Sequence, residues 1–594
     1  MIKKLLISGL ITVGVLSTTT IKAQENNPQL RQLFDDYYAA RMKLFPLEAT
    51  AAGLHQYDDL LPVEGGIPYL EDTELFYRTY LRKLKKFDHV KLNTGDRISA
   101  DILAYTLRTG LEGIPLHLEY LPMNQFVSTP LELASLGSGD GDQPFNTVKD
   151  YENWAKRMAA FMEWSDTCIA NFDKGIREGI VLPKALVRLM IPQMESLAEK
   201  DTTKNIFYKP LSKMPPSFTA AEKDRITKLY QRVIASRLRP AYQQLARYLK
   251  QIYLPAAQEK AGLSALPLGK QIYRYYVRSF TTTSLAPDTI YQIGLSEVAR
   301  IHAEMERIKT QTGFTGTLPE YFTWLKTNPQ LMPFKTPEAV LDAYRAIYQK
   351  VLPHIPALFG HEPQTPMEVR RVEAYREAAS GGPFYIKGNI AEKRAAILYV
   401  PVPDATKVNV TFYGMEATFI HEGIPGHHFQ IALQQENKEI PAFRRQPSFS
   451  AYFEGWALYV ESLGEKMGCY TDAYQQMGAL NNEIHRAIRL VLDVAIHTGK
   501  MTREEAIDYM MANESVSKAI ATAEVERYMA MPGQALSYKI GEISIRTLRD
   551  KLSAQLGTRF NLRDFHDALL AYGDMPLQVL EKYMDNWAAN YQQQ

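Results

Sequence analysis

The chain has 594 residues, of which 46% are hydrophobic, 11% aromatic and 23% charged, and its formal net charge is +2. That length is too great for one hydrophobic core. The near-neutral charge, with no basic tract interleaved with aromatics, argues against a nucleic-acid partner. Two cysteines, Cys168 and Cys469, are too few for a disulfide scaffold and leave their pairing open.

The chain opens with Lys3 and Lys4, then an apolar stretch from Leu5 to Leu16, then Ile21-Lys22-Ala23, which ends in a small residue. This is the pattern of a cleavable secretory signal over residues 1–23. The apolar run is about 12 residues, short of the roughly 20 that a span needs, so no stable membrane insertion is expected. No cysteine lies near the cut, which argues against a lipid anchor. The mature protein is expected in the periplasm or outside the cell.

From there the pattern is helical. Apolar residues recur three and four apart over 29–45, 146–179 and 221–255. Breaks rich in proline and glycine fall near 110–145, 205–217 and 255–270. They suggest an N-terminal helical lobe over 24–270 and a second lobe over 271–594, sharing an interface. The next helix is expected to start at Ser284 as N-cap and stop near Gly313. Strand signal is sparse; "PFYIKG" and "AAILYVPV", within 381–403, are β-rich runs joined by a polar turn. The segment 395–400 is a candidate edge strand to which a substrate backbone adds. Near the end, 481–512 reads as two helices, the first closed by Gly499 and the second opened by a Thr502–Glu505 capping box.

Just after the strands comes "FIHEGIPGHHFQ", residues 419–430. A common zinc-binding helix carries H-E-x-x-H, because residues four apart stack on one face and converge on a metal. Here position four after His421 is Pro425, and the next histidines are His427 and His428. On an unbroken helix these are displaced along the axis by about 9 and 10.5 Å, too far to share an ion with His421. Pro425 and Gly426 make an unbroken helix unfavourable. A bulge of two residues brings His427 to the spacing of a ligand, whereas His428 needs three. His427 is therefore the first choice, with His428 as fallback or as a substrate contact. The bland alternative is a Pro-Gly turn between two ordinary helices.

Downstream, "SAYFEGWALYVESLGEKMG" (450–468) carries Glu454 in a largely apolar helix. A carboxylate there needs a cation. His421, His427 and Glu454 make a three-residue zinc set with an open position. Glu422, beside the first ligand, suits a general base. Glu461, one face-repeat on, suits a supporting role behind a ligand. Asp493 and His497 are four apart on one helix, as an orienting pair or a plain buried hydrogen bond. Arg527, Tyr528 and Lys539 are candidates to meet a substrate carboxylate.

H-E-x-x-P-G-H-H followed by "FEGWALYVE" resembles a large bacterial family known as domain of unknown function 885, from about residue 29 to the C-terminus. That family is grouped with gluzincin-type zinc peptidases. It resembles, more distantly, thimet-type oligopeptidases and angiotensin-converting enzyme. Those are helical proteins with a deep channel between two lobes. The resemblance thus implies a mainly α fold, two helical lobes around a deep cleft, with the small β-sheet beside the metal-site helix. Their motif is H-E-x-G-H, and "PGH" here is similar to "xGH", which favours His427. "RYMAMPGQALSYKIGE" (527–542) resembles the segment that supplies their transition-state tyrosines, which implies a catalytic Tyr538. Read from the residues alone, Pro532 and Gly533 end one element and Tyr538 packs in the next.

Taken together these readings lead to an exported metallopeptidase holding one zinc ion and cleaving short peptides. Two alternatives stay open: a metal hydrolase of non-peptide amides or esters, and a non-catalytic binding protein of the same fold.

Overall fold

Most of the chain is helical, and local sequence explains where the helices begin and end. The computed structural model describes residues 25–139, 141–373, 377, 381–388, 394–411 and 414–592; the signal-like segment 1–23 lies outside them. The expected helix at 29–45 spans Pro28–Leu44. The one at 146–179 spans Val148–Glu178, opened by a Thr147–Asp150 capping box and closed by Gly179 in the left-handed region. The stretch 221–255 is a continuous helical run with π turns at Ile234–Leu238 and Leu249–Tyr253. Each π turn is followed by a proline, Pro240 or Pro255, which lacks the backbone donor that a regular turn uses.

Ser284 is not an N-cap. The helix starts at Pro287 and runs to Gln311, with Ala286 as its cap, because proline is preorganised for the first helical position. The region 481–512 forms two helices as expected. Ala473–Thr498 begins at Asp472, which caps two backbone amides, and ends at Gly499. Arg503–Asn513 follows with its Thr502–Glu505 capping box.

Three strands form the sheet: β1 (Met367–Arg371), β2 (Phe384–Ile386) and β3 (Ala396–Val400). The order is β1-β3-β2, with β1 parallel and β2 antiparallel to β3. The segment 395–400 is therefore not an edge. β3 is the buried central strand, paired on both sides, and β2 lies at the margin beside the histidine motif.

Two large cores and a smaller one organise the helices. The first joins the helices of 133–261 to 298–331 and to residues between 477 and 535. The second gathers the sheet, the motif helices and the C-terminal helices. The third packs Leu30–Tyr37 on Tyr80–Leu107. Both large cores draw on residues from either side of position 270. The Ala473–Thr498 helix serves both: Ile488 and Val491 face the first, Leu490 and Val494 the second. Residues 487–497 are buried without exception, and Arg489, Asp493 and His497 are the polar members of this otherwise apolar stretch.

Cys168 and Cys469 are both buried, unpaired thiols. No helix among the described residues is long and apolar enough to cross a membrane.

Candidate metal centre

The helix that carries His421 spans Met415–Glu422, and the one that starts at His427 runs to Glu436. Between them the chain does not bulge; it breaks and restarts. Gly423 and Gly426 sit at the two ends of the break with ψ of −118° and −126°, outside helical geometry. A Cβ at Gly426 would lie 1.9 Å from the His421 carbonyl oxygen and 2.3 Å from that of Ile420. Only glycine lets the chain fold back so tightly. Trp456 holds the turn from outside: its indole N–H donates to the Pro425 carbonyl at 2.9 Å.

Glu454 arrives on the helix Ser450–Glu461. Its Oε2 lies 3.5 Å from His421 Nε2 and 3.5 Å from His427 Nε2. The three donor atoms all fall within 4.8 Å of one another. Side-chain exposures are 5%, 11% and 13% for His421, His427 and Glu454. Tetrahedral zinc with bonds near 2.0–2.1 Å sets its donor atoms about 3.3–3.4 Å apart. The observed spacing matches that figure and is long for a direct N–H···O bond. The residues present fit zinc in number, type and spacing.

Behind the ligands, Glu461 Oε1 lies 2.7 Å from His421 Nδ1. A carboxylate there fixes which imidazole nitrogen faces the cluster. Burial opposes a charge on His421, but Glu454 and Glu461 outweigh it and lift its pKa to about 9. Burial would raise the Glu454 carboxyl; the two imidazoles instead hold it well below the usual carboxylate range. His427 Nδ1 is buried without a hydrogen-bond partner, so its contact with Glu454 is what orients its ring.

His428 points elsewhere. Its Nδ1 is 3.3 Å from the Tyr385 hydroxyl on β2. Burial pushes its pKa down to about 4, so the ring is neutral near pH 7 and the phenol donates to it. The same Tyr385 donates its backbone N–H to Glu422 Oε2 at 3.0 Å. β2 thus fixes the carboxylate beside the first ligand.

Tyr538 lies on the helix Leu536–Leu556, which crosses the Glu454 helix in direct backbone contact. A Cβ at Gly455 would sit 2.5 Å from the Gly541 Cα, and one at Gly541 would sit 1.9 Å from the Ala451 carbonyl oxygen. The Ser450 and Ser537 hydroxyls are 2.7 Å apart at the same crossing. Burial, then the negative charge of Glu454, raise the Tyr538 phenol pKa. Tyr538 is thereby close to the cluster and stays protonated.

Lys539, Tyr528, Asp493 and His497 do other work. Lys539 is 1% exposed and locked between Glu297, Glu483 and Glu542 at 2.7–3.1 Å, so it does not meet a substrate. Tyr528 is fully buried, its hydroxyl donating to Glu524. Arg527 bonds Glu524 and Gln534 and remains partly exposed. Asp493 and His497 bond neither each other nor the cluster. Asp493 accepts from Tyr273 Oη and from the Gly533 N–H, and His497 meets Leu263 N and Tyr528 O. They support the turn that leads into the Tyr538 helix. Sequence reasoning passed over Tyr385, Arg489 and the bond from Trp456; the aromatic strand and the Trp two places after Glu454 were the only signals.

The fold and this cluster define a class: a mainly helical protein with a small mixed sheet and a buried His-His-Glu set able to hold one cation. Residues 46–584 match the family described as bacterial protein of unknown function, DUF885, and the chain belongs to that family. A solved structure described as "the putative lipoprotein from Colwellia psychrerythraea" is 26% identical, with a TM-score of 0.85, covering 95% of this chain and 99% of that one. A second, from Shewanella oneidensis and described as "a putative lipoprotein of unknown function", is 18% identical, with a TM-score of 0.72 over 93% of this chain and 99% of that one; it shows a likeness of fold. Comparison with curated proteins gives no match.

Proposed function

We propose that this protein is an exported zinc metallopeptidase that hydrolyses short peptides. The observation that carries the reading is the convergence of His421, His427 and Glu454, with both imidazole nitrogens 3.5 Å from one carboxylate oxygen and all three donors within 4.8 Å of one another, backed by Glu461 and flanked by Glu422. Those three residues would hold the ion. Zinc in an open site of this kind lowers the pKa of water and polarises a carbonyl. Glu422 takes a proton from the attacking water and returns it to the leaving nitrogen. The Tyr385 N–H holds one of its oxygens; the other has no protein partner among the described residues and is free for that exchange. Tyr538 supplies a neutral donor to the carbonyl oxygen as charge develops there. Export is inferred from the signal-like segment and from the description of both similar structures as lipoproteins.

Metal analysis of the purified protein, followed by a digest of a peptide library, tests the reading. About one zinc per chain and cleavage that is lost on chelation are expected. A zinc-loaded protein that cleaves no peptide would refute the peptidase assignment; absence of zinc at saturating supply would refute the metal site.

A further inference from the structure

Beside the cluster lies a second group of charges that the chemistry above does not use. Arg489, on the buried Ala473–Thr498 helix, sets its guanidinium carbon 4.5 Å from the centre of the Tyr538 ring. Arg489 is 8% exposed. Its Nη2 donates to Glu524 Oε2 at 3.1 Å and its Nε to the Tyr528 hydroxyl at 3.3 Å. Arg527 donates to the same Glu524 through Nε and Nη2 at 3.0 and 2.9 Å. Two guanidiniums therefore share one carboxylate.

The neighbours do not cancel the excess. His485 Nε2 lies 3.1 Å from Arg489 Nη2 and 3.4 Å from Glu524 Oε2. Its Nδ1–H donates to Glu514 at 2.8 Å, and the charge of Glu514 also acts on Lys326. Arg489 Nη1 donates to no partner among the described residues. The Arg489 side chain is only 10% exposed, and a largely buried cation with an open donor favours an anion. With Nε and Nη2 engaged, Nη1 is left to meet a carboxylate oxygen with a charge-assisted bond. The Tyr538 phenol also feels the charge of Glu454, and the two helices touch at the Gly455–Gly541 crossing, so an anion held here lies on the side of the candidate ligand set.

We propose that Arg489, with Arg527 beside it and Tyr538 against it, binds a carboxylate of the substrate, and that this carboxylate is the peptide's C-terminus. The inference rests on the peptidase reading and narrows it to peptides cleaved near a free C-terminal end. Glu524 holds both guanidiniums in place and the substrate carboxylate supplies the second negative charge.

The test is calorimetry on full-length protein carrying Glu422→Gln, with zinc supplied and turnover disabled. One N-acetylated pentapeptide is used in three forms: free acid, C-terminal amide, and amide with glutamate as the last residue. The free acid should bind roughly tenfold or more tightly than the plain amide, the scale of one bond to a charged group. Adding Arg489→Gln should abolish that preference while zinc content stays unchanged, and Arg489→Lys should restore part of it. If Arg489→Gln does not fold, Arg527→Gln gives the same comparison. Equal binding of acid and amide would overturn the proposal. Binding of the glutamate amide as tight as the acid would move the site to side-chain carboxylates and overturn its C-terminal assignment. Acid-selective binding together with no cleavage of any peptide by the wild-type protein would refute the peptidase reading alone and leave the carboxylate site standing.

Discussion

Gly426→Ala is the sharpest perturbation of the metal centre that leaves every ligand in place. The added methyl carbon would lie 1.9 Å from the His421 carbonyl oxygen, and the obstacle is backbone. Contacts under 3.0 Å are essentially never seen for real Cβ atoms, so the start of the His427 helix must retreat from the end of the His421 helix by about 1.1 Å. Metal ligands tolerate about 0.2 Å. A loss at least as large as that of a supporting residue follows, about 10–100-fold in zinc affinity. Overpacking costs about 1–3 kcal/mol besides. Competition against a chromophoric chelator measures the first effect, and thermal unfolding of the metal-free protein measures the second. A Gly426→Ala protein that binds zinc like the wild type would refute the reasoning, because the close approach would then not be what brings the two histidines together.

Glu422→Gln should keep zinc and melting temperature while turnover falls about 10²–10⁴-fold; near-normal turnover in a peptide assay would move the base elsewhere. His427→Ala should lose zinc and His428→Ala should keep it, since only His427 turns its Nε2 to Glu454; metal analysis that finds the reverse would break the assignment. Tyr538→Phe should lower kcat about 10²–10³-fold with KM little changed; a variant that melts early but works normally would make the tyrosine a packing residue. Asp493 titrates at about 7 in the folded protein because burial raises it. Between about pH 4 and pH 7 the folded state keeps a proton that the unfolded chain has lost, so this group makes stability fall as pH rises and levels off above. Melting curves of wild type and Asp493→Asn should converge or cross over that window, with a differential of up to a few kcal/mol; parallel curves would show that Asp493 does not titrate there.

The ligand set was legible because each member carries its own local signal. His421 and Glu422 are adjacent, Pro425-Gly426 forbids a straight helix, and Glu454 shares an otherwise apolar helix with Glu461 alone among charged residues. The nature of the break was not legible, since a bulge and a restart use the same residues and differ only in how Gly423 and Gly426 turn. β1 escaped notice because "MEVRR" offers only two apolar residues, Met367 and Val369, and gains its place by pairing with β3. That pairing also moved β3 from edge to centre. Lys539 and Tyr528 read as substrate contacts until their partners are known; Glu297 and Glu483 come from distant positions, whereas Glu524 lies one turn before Tyr528 on the same helix. Arg489 lies within the helical stretch 481–512, but its excess charge depends on Arg527 and Glu524 meeting it in space.

The glycine crossing also has a dynamic meaning. With Gly455 and Gly541 in backbone contact there is no side chain between the two helices to slide or to change rotamer. Glu454 and Tyr538 therefore travel as one rigid body, and their separation is set by main-chain geometry. Relative movement of elements is easier at boundaries made of side chains, and Tyr385 on β2 meets the motif helices across such a boundary. Tyr385 links that strand to Glu422 and His428 by two hydrogen bonds of 3.0 and 3.3 Å. Glu422 is thus tied to the strand, and Glu454 and Tyr538 to the glycine crossing.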